Sequence, residues 1–84
     1  MMKREIIIEM NPEAIVWDGF DEAIIGYDMR ESKAVYDQAK MTDILMERDG
    51  MTYEEAIDYL GFNVFCIYVG EYTPINIHLF NKRL

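Results

Sequence analysis

Apolar residues in this chain gather in short blocks divided by turn-forming residues, and each block has its own period. Glu5–Met10 (EIIIEM) sets three isoleucines in succession, which predicts a strand buried on both faces. Asn11-Pro12 breaks it, since proline cannot donate to a ladder and restricts the residue before it. Ala14–Phe20 (AIVWDGF) is apolar up to a turn at Asp18-Gly19. Ala23–Tyr27 predicts a second strand, with Gly26 marking a bulge or a close backbone approach. Asp28–Ser32 is a polar loop and Lys33–Tyr36 a returning strand, so Ala23–Tyr36 is expected to form a hairpin.

The period then changes to that of a helix. Asp37 is a natural N-cap for a helix over roughly Gln38–Arg48, in which Met41, Ile44 and Leu45 form one apolar stripe. Arg48 suits the negative end of the helix dipole, and Gly50 the left-handed position after it. Thr52-Tyr53-Glu54-Glu55 reads as a capping box that opens the next helix. From there Tyr53, Ala56, Ile57, Leu60, Val64, Ile67 and Tyr68 keep helical spacing, while Phe62, Phe65, Cys66 and Val69 cover much of the other side. This spacing favours one continuous helix to Val69 stopped by Gly70. The rival reading ends the helix at Gly61 and makes Phe62–Val69 a buried strand, on its aromatic and β-branched content. Thr73-Pro74 precedes a last strand, Ile75–Phe80, with Ile75, Ile77 and Leu79 on one face. Asn81–Leu84 is a short charged tail expected to fray.

These elements describe a single α+β domain spanning residues 1–84. The expected architecture is a small antiparallel sheet of about four strands packed against two helices, the second helix central. With 51% hydrophobic residues in 84, one small core would struggle to hide every large side chain. A homo-oligomer is therefore expected, with Met51–Val69 as both core and seam.

Charge narrows the function classes. Lys and Arg total 8 against 16 acids, for a net charge of −8, which leaves no basic stripe to neutralise phosphates and excludes direct nucleic-acid binding as an expectation. The lone Cys66 permits no intrachain disulfide, and no apolar run approaches a signal peptide or a membrane span, so the cytosol is the expected compartment.

The candidate chemistry is sparse. Asp18, Asp21 and Glu22 cluster beside Gly19, but their spacing matches no EF-hand and a solvated turn explains them better than a cation site. Cys66 lies between Phe65 and Ile67, where an inert buried thiol is the ordinary case, and nothing in the sequence brings it to His78. Glu54, Glu55 and Asp58 are explained by capping and the dipole. Asn63 is a polar side chain in an apolar segment, so it either ties down backbone or faces a pocket. The ligand-binding set with most to recommend it is Asn63, Tyr59, Phe62, Tyr72, Thr73, Trp17, Phe20 and Asp21, in which the aromatic rings could stack a planar ligand. No catalytic motif, metal set or cofactor motif is present, and a non-enzymatic protein is expected.

The blocks DGFDEAIIG (Asp18–Gly26), VYD (Val35–Asp37), MTYEEAIDYLGFNV (Met51–Val64) and YVGEYTPI (Tyr68–Ile75) together resemble a family of small proteins encoded by tailed bacteriophages. Gly61 and Phe65-Cys66 depart from that pattern. The resemblance implies a phage gene expressed in a bacterial host cytoplasm and implies no particular activity. In that context two functions are expected in competition. One is an oligomeric binder that sequesters a small ligand such as a defence nucleotide. The other is an acidic inhibitor that docks on the basic surface of a host protein.

Overall fold

A computed structural model describes residues 2–80. Its centre is the hairpin that the sequence predicts. Strand β1 (Ile24–Asp28) runs antiparallel to β2 (Lys33–Asp37), and the register shifts between Ile24 and Gly26, so Ile25 is the extra residue of a bulge. Asp28 closes the turn twice. Its carboxylate accepts the Arg30 N–H at 3.0 Å, and its carbonyl accepts the Ser32 N–H at 2.7 Å. Ser32 takes a left-handed φ of 60° there.

The third strand corrects the expected topology. Strand β3 (Ile75–Ile77) lies on the far side of β2 and runs parallel to it, with Val35 opposite Ile75 and Asp37 opposite Ile77. Among the described residues the sheet is therefore three-stranded and mixed, in the order β1-β2-β3, where an antiparallel sheet of about four strands is expected from the sequence. A parallel neighbour needs a long crossover, and residues 38–74 supply it with two helices. The strand also ends at Ile77, short of Phe80.

The expected first strand is a helix, α1 (Lys3–Met10). Only Ile7 of the three isoleucines is buried, while Ile6 and Ile8 are exposed, so the run presents one core contact where a strand would need two buried faces. A helix satisfies its own backbone and needs no neighbouring strand, which outweighs the modest helical penalty of isoleucine. The Met2 N–H donates to the Glu5 carboxylate at 3.1 Å and steadies its first turn.

Helix α2 (Gln38–Asp49) follows its signals closely. Asp37 accepts the Ala39 N–H at 3.0 Å, and Gly50 ends the helix at φ 71°. Met41 and Leu45 are buried with Thr42, whose hydroxyl donates to the Gln38 carbonyl at 2.9 Å. This helix packs on β2 and on the next helix, so α2 is the central one and not the helix that follows.

Helix α3 (Tyr53–Leu60) opens with the expected capping box. The Thr52 hydroxyl accepts the Glu55 N–H at 3.1 Å, and Glu55 accepts the Thr52 N–H at 2.8 Å. It does not continue to Val69. A π turn covers Gly61–Phe65, and residues 67–69 have neither helical nor strand structure, so both sequence readings of that segment are corrected. The Asn63 side chain donates to the Tyr59 carbonyl at 2.9 Å and so competes for an acceptor of the α ladder. The widened turn carries the apolar spacing out of register with the core. Of the whole stretch only Ala56, Leu60 and Val64 are buried.

Residues 11–20 bind these elements together without regular structure of their own. Tyr36 of β2 is fully buried, and its hydroxyl accepts the Trp17 N–H at 2.8 Å. The Trp17 indole N–H reaches the Asn76 side chain of β3 at 3.2 Å. Asn11, itself buried, donates to the Ser32 carbonyl at 2.9 Å. At the far end Arg48 donates to the Gly19 carbonyl at 2.7 Å and lies 5.5 Å from the centre of the buried Phe20 ring. Gly19, at φ 85°, leaves room for that guanidinium, since a Cβ there would stand 2.9 Å from it. The charged tail, Asn81–Leu84, falls outside the described residues.

Burial pushes the Tyr36 phenol up to about 12, although the Trp17 N–H it accepts works the other way. A group with a raised folded pKa contributes stability that is complete below its unfolded value and lost as pH rises through the folded one. Tyr36 therefore destabilises the fold progressively from about pH 10 to about pH 12. Tyr36→Phe is expected to cost about 1–3 kcal/mol at neutral pH by orphaning the Trp17 N–H, and to lose less than the parent on going to alkaline pH. Urea titrations across that range check both, and parallel pH profiles would refute the assignment. Thr52→Ala is expected to cost about 1 kcal/mol through the lost cap, measured in the same way. An unchanged midpoint would show that α3 does not depend on its cap.

Candidate functional site

The expected ligand-binding residues do not share one pocket. Trp17, Phe20 and Asp21 belong to residues 11–20, an irregular strap over the sheet, and its neighbourhood: Trp17 is half-buried in its hydrogen bonds, Phe20 is core, and Asp21 begins a 3₁₀ turn (Asp21–Ala23). One Asp21 carboxylate oxygen is buried without a hydrogen bond among the described residues, and Arg4 faces it as an ion pair at 3.6 Å. The closer contact of Arg4 is with Asp18, at 2.7 Å. Arg4 thus answers two of the three clustered carboxylates, Asp18 and Asp21.

Thr73 serves the backbone. Its hydroxyl donates to the Gly70 carbonyl at 2.7 Å and accepts the Val69 N–H at 2.9 Å, which makes it the turn-former of Gly70–Pro74. Tyr72, half-buried, accepts the Ile15 N–H at its carbonyl at 3.4 Å. The charge of Glu71 beside it raises the Tyr72 phenol. Tyr59, Phe62 and Asn63 lie apart from this group, on the outward side of α3 and its π turn, and all three are exposed. Cys66 is exposed as well, against the expected buried thiol. His78 lines a cleft of about 110 Å³ with Gln38, Thr42, Asp43, Tyr53 and Ile57, and Cys66 is not among its walls.

What α3 does bring together is an acidic and aromatic face. Glu55, Asp58, Tyr59 and Phe62 follow one another at i, i+3, i+4 and i+7, so a helix sets them along one side. They line an open cleft of about 590 Å³ with Asp49, Gly50 and Met51 from the α2–α3 connection. The Phe62 ring is 79% exposed, an unusual cost for so large an apolar group unless something covers it. On the adjoining flank Tyr53 and Ile57, four residues apart, are exposed beside the His78 cleft. Tyr68 is 78% exposed just beyond the π turn.

No cation tempers this face from within its own stretch. Between Arg48 and Lys82 the sequence contains Asp49, Glu54, Glu55, Asp58 and Glu71 but neither Lys nor Arg. Arg48 pairs with Asp49 at 3.0 Å, which holds that carboxyl below its ordinary value, and turns its other contacts to Gly19 and Phe20. The sequence explained Glu55 and Asp58 by capping and dipole alone. The second signal was their helical spacing with Tyr59 and Phe62, together with the gap in Lys and Arg.

The described residues hold no group of three or more His, Cys, Asp or Glu side chains able to grip a metal ion, and no helix among them is long and apolar enough to cross a membrane. No protein-family model, curated protein or solved structure matches the chain. The geometry of the α3 face therefore stands as the principal structural guide to function.

Proposed function

We propose that this protein acts by binding and not by catalysis, docking the α3 face onto a basic surface of a partner protein. The observation that carries this reading is the exposed Phe62 ring set among Asp58, Glu55 and Asp49, of which only Asp49 is paired with a cation, Arg48, among the described residues. Aromatic side chains at the middle of an interface supply most of its affinity, while surrounding charges steer the approach and fix orientation. Carboxylates around an apolar ring suit Lys and Arg, whose aliphatic stems cover the ring while their heads meet the acids. The net charge of −8 extends that attraction over the whole molecule. In the phage setting that the sequence resemblance implies, the partner is a host protein of the bacterial cytoplasm, and docking occludes its basic surface.

Sequestration of a small ligand has less support. Its nominated residues divide between the strap and the outside of α3, whereas a small-molecule site needs convergent polar groups in a water-excluding hollow.

Asp58→Lys and Phe62→Ala test the docking reading, since both side chains are exposed and their replacement should shift stability by no more than about 0.5 kcal/mol. A bacterial protein retained by the parent chain is expected to be lost by the double variant. Its affinity for the parent should fall at least about tenfold when salt rises from roughly 50 mM to roughly 500 mM. Retention that ignores both substitutions, or an affinity that ignores salt, would overturn the proposal.

A further inference from the structure

Strands β2 and β3 run parallel, so both reach their carboxyl ends on the same side of the sheet. Asp37 lies opposite Ile77 there, and the residues that follow, Gln38 and His78, leave the two strands side by side. One turn further on, α2 carries Thr42 and Asp43, and α3 brings Tyr53 and Ile57 across from them. Together these side chains line the cleft of about 110 Å³ that holds His78. The carboxyl ends of parallel strands are the habitual place for a ligand in sheets covered by crossover helices. This cleft shares no wall with that of Phe62.

The polar groups of the cleft are acceptors. Thr42 is buried, and its hydroxyl hydrogen is spent on the Gln38 backbone carbonyl at 2.9 Å, which leaves lone pairs alone to offer. The Gln38 side-chain nitrogen donates to the Asn76 carbonyl at 3.4 Å. A carbonyl can only accept, so that contact fixes the amide and leaves its oxygen for another donor. Asp43 adds a carboxylate at the exposed rim and forms no ion pair among the described residues. A neutral His78 imidazole offers one ring nitrogen as a further acceptor. The Tyr53 ring, 62% exposed, presents an aromatic face to a cation. Neither Lys nor Arg lines the cleft.

We infer that this cleft binds a small organic cation bearing N–H donors, an ammonium or guanidinium head group. Its N–H groups donate to Thr42, Gln38 and Asp43 while the Tyr53 ring covers the charge. The net charge of −8 concentrates cations around the molecule, whereas an anion would meet acceptors alone. Volume sets the size of the ligand. Pockets for drug-sized molecules begin at roughly 300 Å³, so this one takes a head group and has no room for a nucleotide.

Amide NMR of the full chain, titrated with methylguanidinium chloride at constant ionic strength, tests this. Thr42, Tyr53 and His78 should shift along one saturating curve with a Kd of roughly 1–10 mM, as suits so few heavy atoms. Tetramethylammonium carries the same charge without an N–H and should bind at least about fivefold more weakly. Asp43→Asn should weaken methylguanidinium about threefold to tenfold. That side chain is exposed, so an unchanged urea midpoint shows that the fold is intact. N-acetylarginine amide identifies the source of the head group. Affinity at least equal to that of methylguanidinium assigns the cleft to an arginine of another protein, and lower affinity assigns it to a free small molecule. Shifts that rise without saturating, that tetramethylammonium reproduces, or that Asp43→Asn leaves unchanged would overturn the inference.

Discussion

The hydrogen bond from the Trp17 N–H to the buried Tyr36 hydroxyl is the contact on which the arrangement depends. A phenol with no exposure in the middle strand of a sheet needs a partner for its oxygen, or its desolvation opposes folding. Residues 11–20 provide that partner from a segment with no regular structure. In doing so they lie where the Trp17 indole can reach Asn76 of β3 and where Gly19 can meet Arg48 of α2. One irregular strap thereby connects the hairpin, the parallel strand and the central helix.

The parts legible in the sequence were those set by local chemistry. The hairpin, the Asp37 cap, the Met41–Leu45 stripe, the left-handed Gly50 and the Thr52 capping box all rest on residues within a few positions of one another. The errors came where tertiary partners decide. Three isoleucines suit a strand, but the edge strand β1 beside them is bulged at Ile25, and α1 keeps its hydrogen bonds internal. The apolar run after Leu60 kept its helical spacing on paper, yet the π turn and the Asn63 side chain changed the pitch at that point. Parallel pairing of β3 was hidden because strand direction depends on the path of the crossover and not on the composition of Ile75–Ile77.

The same change of pitch bears on one ring beside the candidate site. A continuous helix would have carried Tyr68 onto the buried side of Ala56, Leu60 and Val64, whereas the widened turn leaves it outside. Phe62 is outside because it continues the side of Glu55, Asp58 and Tyr59. Surplus apolar residues were legible from composition, but their division into two surfaces was not. One is acidic and aromatic on α3, and the other is an apolar flank of α1 beside β1. A core this small leaves apolar area exposed on both faces.

The strap is the element from which this account begins, and hydrogen exchange at the Trp17 amide examines it most directly. An amide held by a buried phenol should exchange only when the sheet opens, so its protection should match that of the paired amides in β2. Exchange at the rate of an exposed loop would show that residues 11–20 move independently of the sheet, and the central role given to the Trp17–Tyr36 contact would be wrong.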